Sequence, residues 1–403
     1  MAEEDWEQEM RAELVHWISE TWDPDMSVAG WWNAVAAAGW SAPHLPVDRG
    51  GRGLPRRAHA VARSVFRQCG VLEAPGGLGI LMAAPTILAH GDAAQIERFV
   101  PPILDGSHKW CQLFSEPGAG SDLAGLSTRA ERDGDQWIIT GQKVWTSGAQ
   151  DSDMGMLLAR TDPSVPKHGG ISWFAFSLDQ SGVDIRPLRE MTGRAIFNEV
   201  FLDGAVCHTR DLIGGQGNGW NVARSTLLFE RTGIGVGGGY SGHPVPGSVF
   251  GNLTRRAGEA ATDEPPPGTV VVSLKFDALL ALTRDVERTD DPIVRQDLAR
   301  LWSYECIGNW TAQRTREDAA RGVVSAGVNI GKLAQSRLIK ASAQFGLDLL
   351  GPAGMLWGEQ APAGGVFAEA MVFSPASSIY GGTDQIQRNV AAERSLGLPR
   401  EPN

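Results

Sequence analysis

The feature that most constrains this chain is a double change in the period of its apolar residues. From Trp6 to about Ser107 they recur every three or four positions, as in 14–18, 31–38 and 58–66, which is the spacing of amphipathic helices. From Lys109 to about Gly215 the signal becomes strand-like. Residues 136–140 follow the turn pair Asp133-Gly134, and 154–159, 171–178 and 199–202 continue the series at antiparallel spacing. Helical spacing returns at Trp220. It includes a stripe through Ile330, Ala334, Leu338, Ala341, Phe345 and Leu349. Breaks are expected at Ser41-Ala-Pro, at Gly50-Gly-Arg-Gly and at Pro101-Pro102. The spacing therefore predicts an α+β chain of three regions: an N-terminal helical domain over 1–108, a middle β-barrel or sandwich over 109–215, and a C-terminal helical bundle over 216–403. With 403 residues, two or three cores are the reasonable expectation. Segment 233–270 interrupts the bundle. Its glycine run at 237–239, His243-Pro-Val-Pro-Gly and Glu264-Pro-Pro-Pro-Gly suit no continuous helix, and a loop next to the ligand is expected there.

Charge and cysteine usage narrow the function. A formal net charge of -11 repels extended nucleic-acid phosphate. No run of roughly eighteen apolar residues suggests a membrane span. The acidic start lacks the basic-then-apolar layout of a secretory signal, so a cytoplasmic protein is expected. Cys69, Cys111, Cys207 and Cys306 are far apart, without CxxC spacing, so no metal site is expected and a reducing compartment fits. His208 beside Cys207 reads as a strand end at the surface.

Two stretches in the strand region carry chemistry. In Phe114-Ser-Glu-Pro-Gly-Ala-Gly-Ser-Asp, glycines let the backbone approach a ligand and Ser115 and Ser121 flank them with hydroxyls. The loop is either a pyrophosphate cradle or a plain turn, the commoner use of such residues. In Gly141-Gln-Lys-Val-Trp-Thr-Ser-Gly, Trp145 either covers a flat heterocycle or fills a strand core.

Together these stretches resemble the acyl-CoA dehydrogenase family. Ile103-Leu-Asp-Gly, Leu349-Leu-Gly-Pro-Ala-Gly and Ile379-Tyr-Gly-Gly-Thr-Asp-Gln-Ile-Gln-Arg match it in the same order, from about Gly91 to the end. Residues 110–117 and 290–296 look closest to the actinobacterial branch associated with steroid and other bulky acyl-CoA substrates. The resemblance implies the same three-region fold, bound FAD, an acyl-CoA substrate, electron-transferring flavoprotein as acceptor, and a homo- or hetero-tetramer. It implies flavin contacts from Phe114, Ser115, Gly120, Ser121, Trp145, Thr146 and Ser147. Thr383 and Gln385 would hold the FAD ribose and phosphates, and Asp348, Leu349 and Gly351 would reach an FAD held mainly by a neighbouring subunit. Relatives commonly carry Gln where Asp348 stands, and an acidic group near a pyrophosphate is unfavourable. Ser121, Phe229, Arg231, Tyr380, Gly381 and Gly382 would line the substrate.

The base is the informative departure. Many members place a catalytic Glu directly after the Tyr of the C-terminal motif, where this chain has Gly381. Others place it on a helix in a Leu-x-x-Glu-Arg setting, here Leu227-Leu-Phe-Glu230-Arg231. The resemblance thus implies Glu230 as the group that takes the α-proton, with the β-hydrogen leaving as hydride to flavin N5. Two other readings stay open: a subunit that completes an FAD site in a heteromeric dehydrogenase, and a flavin monooxygenase of the same fold.

Overall fold

The computed structural model describes residues 2–234, 252–263, 274–321, 323, 326–358 and 360–399. The chain divides into two compact units, Met1–Arg189 with Ala195–Pro266, and Glu190–Arg194 with Pro267–Asn403.

The first unit begins with helices α1 (Ala2–Thr21), α2 (Val28–Ala37), α3 (Ala58–Gln68), α4 (Ala84–His90) and α5 (Ala93–Leu104). The apolar stripes of α1, α2 and α3 meet in one cluster that includes Leu14, Ile18, Trp31, Val35, Val61 and Phe66. Ser27 caps α2 by accepting from the Gly30 N–H, and Asp92 with Gln95 closes a capping box on α5. The break expected at Pro101-Pro102 does not occur, because both prolines lie inside the last turn of α5. Each proline withholds an N–H from the carbonyl four residues back, so the turn rests on what remains. The Pro101 carbonyl still accepts from the Asp105 N–H at 3.0 Å, and burial of Phe99, Val100, Ile103 and Leu104 holds the turn in place.

Eight strands follow: β1 (Trp110–Leu113), β2 (Arg129–Asp133), β3 (Gln136–Ser147), β4 (Met154–Arg160), β5 (Ile171–Ser177), β6 (Val183–Leu188), β7 (Phe197–His208) and β8 (Leu212–Ile213). They lie in the order β6-β7-β3-β2-β4-β5-β8, with β1 on β4. The predicted hairpin pairs Asp133 with Gln136 across Gly134, whose φ of 59° suits a glycine turn. The ladder is not wholly antiparallel, since β1 and β2 both run parallel to β4. Strands β4 and β5 are buried on both faces. Met156, Leu158, Trp173 and Ala175 pack in one apolar cluster with α4, α5 and the next helix, α6 (Gly219–Ile234). The alternate residues Leu157, Ala159, Phe174 and Phe176 fill the other face with Trp137, Ile139 and Leu202. Period two with both sides apolar is the mark of a central strand. His208 is exposed at the end of β7 beside buried Cys207, as its sequence suggests.

Part of 233–270 is folded rather than looped. Residues 252–254 form a helical turn and Ala257–Ala261 form α7, with Ala257 and Ala260 buried among the N-terminal helices. The Val28 N–H donates to Arg255 O at 2.8 Å and the Ala257 N–H to Met26 O at 2.7 Å. Residues 235–251 and 264–273 lie outside the described residues, and with them the rest of the expected loop.

The second unit contains α8 (Phe276–Asp285), α9 (Pro292–Ala320), α10 (Gly327–Leu350), α11 (Val366–Phe373) and α12 (Asp384–Val390). Leu279, Leu298, Leu301, Ala343, Phe345, Leu349 and Phe367 form its core. The stripe predicted on α10 is correct at Phe345 and Leu349 but not at its start. Ile330 is 45% exposed, and the buried face carries Ser336, Ile339 and Ser342. Ser336 Oγ bonds Lys332 O, Ser377 O and Asp384 Oδ1 within the unit, so a hydroxyl serves where apolar period alone predicts an aliphatic side chain.

Candidate active site

In the first unit the two chemically informative stretches are welded together by a buried ion pair. Lys143, with no exposed surface, donates from Nζ to Glu116 Oε1 at 2.8 Å and to Phe114 O at 3.1 Å. Glu116 also accepts from the Ser127 N–H and hydroxyl, at 2.6 and 2.8 Å, and from the Thr128 N–H at 2.9 Å. Burial works against the Glu116 charge, but the Lys143 ammonium and these donors outweigh it and hold the carboxyl down at about 2. Glu116 and Ala119 exchange two backbone hydrogen bonds at 3.0 Å, so Pro117-Gly118 form a tight turn. A Cβ at Gly118 or Gly120 would meet nothing within 4 Å among the described residues. The turn is therefore open on that side, with no packing against it among the described residues. Ser121 is exposed beside it and Ser115 half-buried, while the Phe114 side chain is core and offers only its backbone.

Strand β3 slips register against β7 between Lys143 and Thr146. At that bulge Trp145 has φ 60°, a left-handed conformation rare for a bulky residue, and its indole is 56% exposed. Its ring stands edge-on to Phe197, with centroids 5.6 Å apart. Trp145 is thus not a core residue, and one of the two readings of this stretch falls away. Thr146 is buried, and its Oγ1 has no hydrogen-bond partner among the described residues. Ser147, half-buried, ends the strand at its pairing with Phe197. Buried Asn198 accepts from the Ala149 N–H at 2.9 Å and so fixes the reversal that follows. An extruded indole, an orphaned hydroxyl and an open glycine turn are what a flat heterocycle with a pyrophosphate requires, so these residues fit a flavin nucleotide.

Glu230 lies in the last turns of α6. Val222, Ala223 and Thr226 on this helix are wholly buried, and Thr226 receives a hydrogen bond from Thr86 Oγ1 at 3.1 Å. Four residues on, Glu230 continues that stripe rather than the solvent face on which Leu228 is 49% exposed, and it is half-buried. Phe229 is also half-buried, with the Arg56 guanidinium 5.9 Å from its ring centre. The side chain of Arg231 lies outside the described residues.

In the second unit, the stretch 379–387 is built around two successive glycines, Gly381 (φ 64°) and Gly382 (φ 84°). Gln387, almost fully buried, donates to Gly381 O at 2.8 Å, and the side chain of Thr383 caps α12 by accepting from the Ile386 N–H. Asp384 bonds Lys332 Nζ and Ser336 Oγ at 3.0 Å and Ser378 Oγ at 2.9 Å. Burial opposes its charge, but those donors hold its carboxyl below the usual range. Gln385 and Tyr380 are exposed. Asp348 is exposed and accepts from Gln344 Nε2 at 2.8 Å, Leu349 is core, and Gly351 faces open space. Lys143, Glu116, Asn198 and Gln387 are the positioning residues that sequence reasoning missed. The available signal was a lysine within an otherwise apolar strand and an acid at the start of a glycine turn, each of which needs a buried partner.

Known proteins match along the whole chain. The N-terminal, middle and C-terminal domains of acyl-CoA dehydrogenase match residues 2–107, 111–204 and 275–396. Acyl-CoA dehydrogenase IpdE1 of Mycobacterium tuberculosis (strain ATCC 25618 / H37Rv) is 38% identical over 378 residues, 92% of this chain and 88% of its own. IpdE1 of Mycolicibacterium smegmatis is 34% identical, with 98% of each chain covered. The solved structure of a steroid acyl-CoA dehydrogenase, the Tcur3481-Tcur3483 steroid ACAD, superposes with a TM-score of 0.75 at 25% identity, over 98% of each chain. With all three domains matched in order and such identity over nearly its full length, this chain belongs to the acyl-CoA dehydrogenase family of flavin-containing oxidoreductases.

Proposed function

We propose that the chain performs FAD-dependent α,β-dehydrogenation of an acyl-CoA thioester to the 2-enoyl-CoA, with Glu230 taking the α-proton. The observation that carries this is the place of Glu230 on the packed stripe of α6, together with a glycine at 381 where many relatives carry the base. A half-buried carboxylate one helical turn beyond buried Thr226 is of the type that can take a proton from carbon when a substrate is held against it. The bound FAD would supply the hydride acceptor. Trp145, Thr146 and Ser147 would cover and orient the ring, and Ser115, Gly120 and Ser121 would flank its pyrophosphate and the acyl-CoA. Thr383 and Gln385 would meet the ribose and phosphates. The backbone about Gly381 and Gly382, beside Tyr380, would donate to the thioester oxygen as negative charge grows there. Phe229 and Arg231 would border the acyl chain.

A bulky, steroid-like acyl group and a two-component assembly draw support from the likeness to the Tcur3481-Tcur3483 steroid ACAD. The exposed Asp348 fits the second point, since in an assembly of unlike subunits a partner could supply the residue that meets the FAD. Electron-transferring flavoprotein is the acceptor we assign. Stopped-flow reduction of the bound flavin by a panel of acyl-CoAs tests the reading. Bleaching of the flavin band with enoyl-CoA formation is expected, and a flavin that no acyl-CoA reduces, with any partner subunit supplied, would refute it.

A further inference from the structure

Within the second unit, the Gly381–Gly382 turn is held from behind by two side-chain amides in series. Gln387, 1% exposed, donates from Nε2 to Gly381 O at 2.8 Å, and its Oε1 accepts from Asn329 Nδ2 in the first turn of α10. A carbonyl can only accept, so the bond to Gly381 dictates which end of the Gln387 amide faces the turn and leaves its oxygen for Asn329. The far end of the turn is held as well, since Asp384 bonds Lys332, Ser336 and Ser378. The N–H groups of Gly381 and Gly382, by contrast, make no hydrogen bond among the described residues. A Cβ at Gly381 would meet nothing within 4 Å, whereas one at Gly382 would come within 2.7 Å of Gln387 Nε2. The amide therefore packs directly on the second glycine, and the side of the first stays open.

Two consequences follow from elementary peptide geometry. The peptide that joins Gly381 to Gly382 is planar and trans, so pinning its oxygen on Gln387 points the Gly382 N–H the opposite way. Two successive glycines, at φ 64° and 84°, have no Cβ to restrict them, and the bond to Gln387 removes much of the freedom that would otherwise let the turn swing. Hydrogen bonds in series also polarise one another. A donor on the Gly381 carbonyl strengthens the N–H of the same peptide, and the Asn329 donor on Oε1 strengthens the Gln387 N–H in turn.

We propose that the Asn329–Gln387 relay is the positioning device for the amide donors that meet the thioester oxygen, fixing the Gly381–Gly382 peptide and polarising its N–H. This rests on the acyl-CoA reading and adds to it the side chains on which the direction of the donors depends. Neither side chain touches the substrate; both act through the backbone of Gly381 and Gly382. Donors held in place before charge grows on the oxygen need no reorganisation when it does, and a glycine turn released from Gln387 would have to be ordered again for each substrate.

The test uses the flavin-loaded enzyme, with any partner subunit supplied, and straight-chain and steroid-bearing acyl-CoAs together with their trans-2-enoyl products carrying carbon-13 at the thioester carbonyl. Flavin reduction by the saturated compounds and the infrared position of the bound enoyl carbonyl are both read. In the original enzyme the bound carbonyl band is expected below its position in water. Gln387→Leu should move that band back up and slow flavin reduction by about tenfold or more, short of the roughly hundredfold to thousandfold loss seen when a donor itself is removed, with flavin content unchanged and kcat affected more than KM. Gly382→Ala, which displaces the Gln387 amide, should move the band in the same direction. Gln387→Glu keeps the acceptor for Asn329 and regains a donor only when protonated, so its deficit relative to the original enzyme should shrink as pH falls, while that of Gln387→Leu stays constant. Should Gln387→Leu fail to load flavin, Asn329→Ala, at a half-buried position, gives the same shifts in smaller measure. A band that none of these variants moves while the flavin is still reduced, or a deficit in Gln387→Glu that ignores pH, would overturn the proposal and leave the dehydrogenation reading standing. If no acyl-CoA reduces the flavin and no enoyl-CoA binds, that reading fails and the proposal falls with it.

Discussion

At the scale of single residues, Glu230 and Trp145 make the sharpest predictions. Glu230→Gln preserves shape and removes the proton acceptor, so flavin reduction by a good substrate should fall at least about a hundredfold with flavin content unchanged. Near-normal reduction in that variant would assign the proton to another group. Adding Gly381→Glu would restore a carboxylate at the other family position. Open space surrounds that Cβ, but φ 64° places it in the left-handed region, at a cost of about 1–2 kcal/mol, so partial recovery is expected. Trp145 pays a conformational cost of about 1–3 kcal/mol for its own left-handed backbone. Trp145→Gly removes that strain and the exposed indole together. The flavin-free protein should melt no lower than the original, while flavin retention after gel filtration falls. Unaltered retention would mean that the indole covers nothing.

At the scale of elements, the Lys143–Glu116 pair joins β3 to the glycine turn and sets the relative position of both. Lys143→Met leaves a buried carboxylate without its counter-charge and should cost about 3–5 kcal/mol in urea unfolding. Adding Glu116→Gln removes the orphaned charge, so stability should partly return. Flavin retention should not return with it, because the amide supports the Ser127 and Thr128 donors less well than the carboxylate does. Parallel recovery of both would show the pair to be structural ballast with no part in shaping the site. Helix α9 makes a separate case. Ile293, Trp302, Ile307 and Trp310 are all more than half exposed, and the last two share a face by helical spacing. Such a face is expected to be an interaction surface, and a second subunit is the occupant we propose. Light scattering should give a mass above the monomer's 43.1 kDa, and Ile307→Asp with Trp310→Asp should reduce it.

For the molecule as a whole, acid stability follows from the same buried groups. The folded pKa values of His44 and His59 lie below 6.5, at about 4 and 3, so between those values the unfolded chain binds more protons. Stability therefore falls as pH drops below 6.5, by up to about 2 kcal/mol for each ring at pH 5. Glu116, held at about 2 against an ordinary 4.5, adds stability above 4.5 that disappears as pH falls through 2. Melting temperatures should decline from pH 7 to pH 5, before carboxylates titrate, and His59→Asn should flatten that first decline. A flat profile over this range would mean that the rings are solvated.

The order of helices, strands and helices was legible because burial of a helix stripe and of a strand face leaves different periods, and neither depends on distant residues. The glycine turn and the Tyr-Gly-Gly-Thr stretch were legible for a similar reason, since close backbone approach and positive φ restrict the residue type locally. Other features were decided only by the tertiary structure. Pro101 and Pro102 remain helical because four buried side chains hold the last turn, a sum that no local rule contains. The parallel pairing of β1 with β4 depends on which strands meet. The extrusion of Trp145 arises from a register slip against β7, and the pairing of Lys143 with Glu116 joins residues that one dimension leaves unrelated. The edge-on meeting of His44 and His59 follows the same logic, because it joins two segments that only the fold brings together.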